Sequence, residues 1–293
     1  MLKILPQLFY QSPDIKKILV DGLSCIIHKE LGQPVLHKEG YVSTHAVTLV
    51  LKGLLRVEND NGVLTNVAEN QMIFLPKGLY TISDIIPQQG KFEALVFFFD
   101  EEVIASFINA IKLKVSKEKC LPLLPLTYTG EIREFTDSLL KIYGNKDHTK
   151  HRHLTKAKLI EFLHLVAFTQ ETDCFLSFLA TLNNKEKKSL SAFMNANYGK
   201  PLSIEDYAYL TGRSLSTFRR DFIAQFGTSP KQWLIEKRLE KAHELLAQNH
   251  TTVSEVALET GYENISHFVK AFHKRYGTPP KRFLMKKRKE VLV

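Results

Sequence analysis

Between residues 18 and 99, apolar residues gather in short runs broken by turn-forming residues. The runs are Leu23–His28, Thr44–Val50, Leu54–Glu58, Met72–Leu75 and Ala94–Phe99. Between them lie Gly53, Asn59-Asp60-Asn61-Gly62, Pro76-Lys77-Gly78 and Gln88-Gln89-Gly90. Short β-branched and aromatic runs with such punctuation read as strands, and several in a row predict an antiparallel barrel or jelly roll. Beyond residue 130 the period of the apolar positions lengthens to that of a helix. Glu131–Tyr143 and Thr155–Thr169 each read as an amphipathic helix, the second with Leu159, Phe162, Leu163 and Val166 on one side.

The last third is helical throughout and repeats itself. Residues 203–230, SIEDYAYLTGRSLSTFRRDFIAQFGTSP, and 252–280, TVSEVALETGYENISHFVKAFHKRYGTPP, are two copies of one unit. Ser203 matches Thr252, Ala208 matches Ala257 and Thr211-Gly212 matches Thr260-Gly261; after a one-residue insertion, Phe218, Phe222, Gly227 and Pro230 match Phe268, Phe272, Gly277 and Pro280. Each copy opens on a capping-box signature, Ser203 with Asp206 and Thr252 with Glu255. A short helix then ends near a glycine suited to a left-handed turn. A second helix begins at once, with Ser214 or Asn264 as its N-cap. Helix, tight turn and helix is the helix-turn-helix motif, whose second helix fits a major groove.

Advancing about 100° per residue along these second helices separates core from reader. Leu215, Phe218, Phe222 and Phe226 share the inward side of the first, leaving Ser216, Thr217 and Arg220 outward with Arg219 on the flank. In the second copy Ile265, Phe268, Phe272 and Tyr276 form the expected buried side, and Ser266, His267, Lys270 and Lys274 project outward. Both copies thus set a small hydroxyl, Ser216 or Ser266, four residues before a cation, Arg220 or Lys270. Arg220 suits a bidentate contact to guanine, and Lys270 acts as a point charge. Between the copies, Ser229-Pro230 starts a helix through Ala247 with Ile235, Leu239, Ala242 and Leu246 in one stripe. At ~1.5 Å per residue it is a spacer of ~25 Å, which suits readers entering major grooves one duplex turn, ~34 Å, apart.

Charge agrees with this division. The chain of 293 residues carries a formal net charge of +9, and all of that excess lies in residues 185–293, since 1–184 are balanced. A neutral module joined to a polyanion-binding one is the expected organisation, with boundaries at 1–180 and 185–293 and an α+β fold overall. Double-stranded DNA is the leading partner. Cys25, Cys120 and Cys174 are widely spaced and form no C-x-x-C pair, so neither a disulfide framework nor a zinc site is indicated. The interrupted N-terminus and the absence of a long apolar run predict a soluble cytoplasmic protein that does not enter a membrane.

At this point the residues resemble the AraC/XylS family of bacterial transcription regulators. The resemblance is carried by G-R-S-L-S-T-F-R-R-D-F at 212–222, F-G-T-S-P at 226–230, K-R-L-E-K-A-H-E-L-L at 237–246, V-S-E-V-A-L-E-T-G-Y at 253–262 and F-H-K-R-Y-G-T-P-P-K-R-F at 272–283, and covers about residues 187–285. It implies base contacts from Ser216, Arg219 and Arg220 in the first unit and from Ile265, Ser266, Val269 and Lys270 in the second. Ile265 and Val269 either touch thymine methyls or belong to the core. It further implies a cupin-like N-terminal barrel, consistent with F-L-P-K-G-L-Y at 74–80, that binds a small-molecule or protein effector, helices that form a homodimer, and action on RNA polymerase as an activator. Residues 158–168 and the stretch from Phe193-Met194 to Tyr198 resemble the subgroup controlling type III secretion genes, which answers to partner proteins.

Cupin enzymes hold a metal, but Tyr80 stands where the second motif's histidine belongs and no His-x-His surrounds His45. No metal, cofactor or catalytic residue is expected, with His37, His45 and Glu93 as pocket or core polar groups. His148, His151 and His153 read as a solvated linker. The alternatives are a cupin-type metal enzyme with a DNA-binding appendage and a DNA-binding protein that reads phosphate alone.

Overall fold

The computed structural model describes residues 3–13, 15–87, 90–111, 124–144, 147–169, 175–176, 179, 187–248, 252–262 and 264–291. The chain packs as two units, residues 2–184 and 185–293.

Strands dominate the first unit: β1 (Lys3–Leu5), β2 (Ile15–Asp21), β3 (Ser24–Leu31), β4 (Val35–Val42), β5 (His45–Lys52), β6 (Leu54–Asn59), β7 (Leu64–Val67), β8 (Gln71–Leu75), β9 (Gly78–Ile85), β10 (Phe92–Phe99) and β11 (Leu124–Thr127). Three helices follow β10 in the chain: α1 (Glu101–Ile111), α2 (Gly130–Tyr143) and α3 (Thr155–Thr169). The strands form two sheets, ordered β1-β4-β9-β6-β7 and β11-β8-β5-β10-β3-β2. β1 runs parallel to β4, and β10 lies antiparallel between β3 and β5. Of the two arrangements the sequence predicts, barrel or jelly roll, the described strands make no closed ring but two separate sheets. Closure depends on hydrogen bonds between strands distant in sequence, which a run of apolar residues does not encode.

Ala94–Phe99 is apolar at every position because both faces of β10 are covered. Ala94, Val96 and Phe98 face a core between the sheets with Ile27, Val50, Val57 and Tyr80. Leu95, Phe97 and Phe99 face a second core with Phe107, Phe135, Leu159, Phe162, Leu163 and Val166 from the three helices. The apolar stripe expected on residues 155–169 is fully buried there. The Phe162 ring stacks on Phe97, with centroids 3.9 Å apart and planes 4° from parallel. The order is therefore sheet, sheet, helices.

The histidine-rich stretch also departs from expectation. Residues 148–154 form a 3-10 turn tied to β2, where Arg152 Nε donates to Asp21 at 2.7 Å, and His151 packs edge-on against Tyr143. Its polarity hid that tether, which is made by a residue 131 positions away. Cys25 is buried between the sheets, and burial pushes its thiol up to about 12, so it is not a reactive nucleophile. Cys120 and Cys174 lie outside the described residues.

The second unit is all helical: α4 (Leu190–Asn197), α5 (Ile204–Leu210), α6 (Leu215–Phe226), α7 (Pro230–Ala247), α8 (Val253–Glu259), α9 (Ile265–Tyr276) and α10 (Pro280–Val291). The spacer helix α7 begins at Pro230 after the Ser229 cap and buries Leu239, Ala242 and Leu246 with Val256, Ala257, Phe268 and Phe272. Among the described residues no helix is long and apolar enough to cross a membrane.

Candidate nucleic-acid interface

The two helix-turn-helix units are assembled by the same polar contacts. α5 opens on a capping box in which Ser203 Oγ accepts from the Asp206 N–H at 3.1 Å and the Asp206 carboxylate accepts from the Ser203 N–H at 3.2 Å. α8 repeats it with Thr252 and Glu255, at 3.2 and 2.7 Å. The Thr252 N–H holds the Glu255 carboxyl below the usual carboxylate range. At the far ends, Thr211 and Thr260 are fully buried and their hydroxyls donate back to Tyr207 O at 2.8 Å and Val256 O at 2.7 Å. Gly212 and Gly261 then turn the chain with φ of 70° and 82°. Ser214 Oγ accepts from the Thr217 N–H at 3.3 Å, and Asn264 Oδ1 accepts from the His267 N–H at 3.2 Å, which starts the reading helices α6 and α9.

This scaffold fixes which side chains face outward. On α6, Phe218 and Phe222 are fully buried, Ser216, Arg219 and Arg220 are exposed, and Thr217 is half-buried. On α9, Phe268 and Phe272 are fully buried, whereas Ser266, His267, Lys270 and Lys274 are exposed. Val269 is half-buried against the core of its unit. Ile265 corrects the helical-wheel expectation: it is 40% exposed, beside Ser266 on the open surface. Periodicity places a residue around a helix axis but does not say where the core ends along it, and Ile265 is the first residue of α9.

Charge partners differ between the two reading helices. Arg213, in the first turn, donates through Nε to Asp221 at 3.1 Å and through Nη1 to Thr211 O and Lys188 O, clamping the turn onto α6. The Arg213 hydrogen bond holds the Asp221 carboxyl below its usual range. Arg220, with a side chain 75% exposed, touches the other oxygen of Asp221 at 3.3 Å. In the second unit, Arg275 is drawn to Glu236 of α7 at 2.8 Å. Among the described residues no carboxylate pairs with Arg219, Lys270 or Lys274.

Two features escaped sequence reasoning. Ile223 is 51% exposed, one turn beyond Arg219 and Arg220 on the outward side of α6; its spacing of seven from Ser216 was the available signal. Arg238 of α7 donates to Tyr198 O (2.8 Å), Lys200 O (2.7 Å) and Gly261 O (3.2 Å), joining the end of α4 to the turn of the second unit. No spacing rule exposes that contact, because its partners are backbone carbonyls.

The polar residues weighed as ligands in the first unit have other partners. His45 is buried and its Nδ1 accepts from the Lys77 N–H at 3.2 Å. His37 is exposed, and its backbone N–H donates to Ser83 Oγ at 3.0 Å. Glu93 accepts from His28 Nε2 at 2.9 Å, and Glu30 lies 3.6 Å from His28 Nδ1. These three side chains could ligate an ion by distance, but Lys91 and Lys52 already sit on the carboxylates, at 2.9 to 3.4 Å. Burial pushes the Glu93 carboxyl up, and the Lys91 and His28 hydrogen bonds outweigh it to hold the group below its ordinary range.

Paired helix-turn-helix units on a basic all-α body, behind a strand-rich module, define a DNA-binding transcription regulator. Residues 207–286 match the helix-turn-helix domain family, and residues 45–178 match the ExsA N-terminal regulatory domain. The HTH-type transcriptional regulator ExsA of Pseudomonas aeruginosa is 27% identical over 229 residues, covering 76% of this chain and 79% of ExsA. The virulence regulon transcriptional activator VirF of Yersinia enterocolitica is 28% identical over 235 residues, covering 77% and 83%. A crystal structure of apo ToxT from Vibrio cholerae aligns over 91% of this chain and 98% of that one, with 12% identity and a TM-score of 0.46. Both units of the chain are thus similar to AraC-type transcriptional regulators.

Proposed function

We propose that this regulator is an activator that reads two successive major grooves with α6 and α9. In the first groove Ser216, Thr217, Arg219 and Arg220 meet the DNA, with Arg220 bidentate to a guanine. In the second, Ser266, His267, Lys270 and Lys274 supply polar and charged contacts, and Ile265 and Val269 offer methyl groups to thymine. The observation that carries this reading is the repeated placement of an exposed hydroxyl four residues before an exposed cation on two N-capped helices. The basic residues around them contact phosphate.

The module of residues 1–180 sets the activity of the 185–293 reader by binding a small-molecule or protein effector and by forming a homodimer, and the bound regulator engages RNA polymerase in the cytoplasm. The transcriptional role of VirF, as an activator, supports the direction of the effect. Control of this kind needs two states that the effector distinguishes. No catalytic step, metal or cofactor enters the reading.

The test is selection of binding sites from random duplexes by the full chain, followed by titration of the best site and a scrambled one at several salt concentrations. Two short blocks about ten base pairs apart, bound ~10³-fold more tightly than scramble, are expected. Arg220→Ala should then cost ~1–3 kcal/mol at one base pair only. Equal and steeply salt-dependent binding to every sequence refutes base readout and leaves phosphate binding alone.

A further inference from the structure

Ile223 stands in the middle of the surface that α6 turns outward. It follows Ser216 by seven residues, Arg219 by four and Arg220 by three. At about 100° per residue it therefore lies within about 60° of all three, and between the two arginines. All four side chains are exposed, Ile223 at 51%, while Phe218 and Phe222 hold the other side in the core. Packing does not call for an isoleucine here. The equivalent position of α9, which follows the buried Phe272 as Ile223 follows Phe222, holds the exposed His273. A solvent-facing isoleucine also costs helix propensity, because its branched Cβ loses rotamer freedom against the preceding turn. A position that the shared scaffold does not dictate, apolar in one copy and polar in the other, answers to what the surface touches.

A helix lying along a major groove presents residues i, i+3, i+4 and i+7 of one face to the base edges, which here are Ser216, Arg219, Arg220 and Ile223. Thymine is the base that shows a methyl group in that groove. We propose that Ile223 is a specificity-determining residue of the first reader, packing against the 5-methyl group of a thymine. At ~1.5 Å of rise per residue Ile223 is ~4.5 Å further along the helix axis than Arg220. At ~3.4 Å per base pair, the thymine then lies about one or two base pairs from the guanine that Arg220 reads. An apolar protein surface is the poorer partner, since Ile223 is the only large apolar side chain exposed on α6 among the described residues and two arginines flank it. A single methyl group set between phosphate backbones satisfies the isoleucine and both cations together. The inference rests on the reading of α6 as a DNA-reading helix, and adds a base that this reading does not assign.

The test starts from the duplex selected by the full chain. Each thymine near the Arg220 guanine is replaced, one position at a time, by deoxyuridine, which lacks the methyl group, and affinity is read by fluorescence anisotropy. One of these substitutions should weaken binding about fourfold, the size expected for removing one buried methyl group. Ile223→Ala should weaken binding to the unsubstituted duplex by a similar factor, keep the preference for guanine and abolish the deoxyuridine effect. Should that variant not fold, the deoxyuridine series on the unaltered chain still decides. The proposal is overturned by selected duplexes with no thymine near that guanine, or by deoxyuridine that leaves affinity unchanged at every position. Weakening that persists undiminished in Ile223→Ala also overturns it, because the methyl group is then read by another residue. Any of these results on a site that still requires the guanine strikes Ile223 alone, whereas equal binding of every duplex strikes the reading of α6 itself.

Discussion

Replacing Arg238 with methionine keeps the length of the side chain and removes its guanidinium. Three backbone carbonyls lose a charged donor, but not equally. Lys200 O retains the Leu202 N–H at 2.8 Å and the Tyr207 hydroxyl at 3.1 Å, so the loss concentrates on Tyr198 O and Gly261 O. A hydrogen bond to a charged group contributes ~1.5–3 kcal/mol, and Arg238 is half-buried, so about 3 kcal/mol is the expected total. For a body of this size each kcal/mol moves the midpoint by roughly 4–8 °C, giving a fall of roughly 12–24 °C in the melting of residues 185–293. Trp233 reports it, as the only tryptophan, packed against Phe222 and Phe226 at 5.7 and 5.2 Å. Below the new midpoint, site selection should recover half-sites at more than one separation, because Arg238 joins the two units. Arg238→Lys, a single flexible donor, should recover part of the stability. A fall below about 3 °C with unchanged spacing would refute the clamp.

Gly261→Ala should lower that midpoint more than Gly227→Ala, since a Cβ at 261 would meet Gly199 O at 2.7 Å whereas at 227 it meets open space; both share the cost of a positive φ, so equal losses in the two melting curves would contradict the packing argument. Glu93 has its carboxyl held below the ordinary value, so it stabilises the fold above about pH 4.3 and that contribution is lost as pH falls through its lowered value. The acid-induced drop in melting temperature of the first unit should accordingly be smaller in Glu93→Gln, measured between about pH 5 and pH 3. Phe162→Ala opens the core against Phe97 and should cost ~3–5 kcal/mol in urea unfolding of the first unit without altering the bases selected by the second.

Local chemistry made the reader legible in advance. Capping boxes, turn glycines and the Ser229-Pro230 helix start each act within a few residues, so the boundaries of α5 through α9 follow from the sequence. The strand-rich unit was legible only where runs were apolar. β4 went unread because Leu36, His37, Lys38 and Glu39 are exposed, and its place depends on pairing with β9 and β1. α1 went unread because it starts directly after β10, with Asp100 accepting from the Val103 N–H at 2.9 Å. Arg238, and Arg213 with Asp221, make contacts between elements, and periodicity along one element carries no information about them.

The two reading helices share a scaffold but not a surface: one offers Ser216, Arg219 and Arg220, the other Ile265, Ser266 and Lys270. Read as proposed, tandem helices with unlike faces match a stretch of duplex that has no dyad symmetry of its own. A single bound molecule then has a front and a back along the duplex, and the strand sequence alone decides which neighbouring gene it faces.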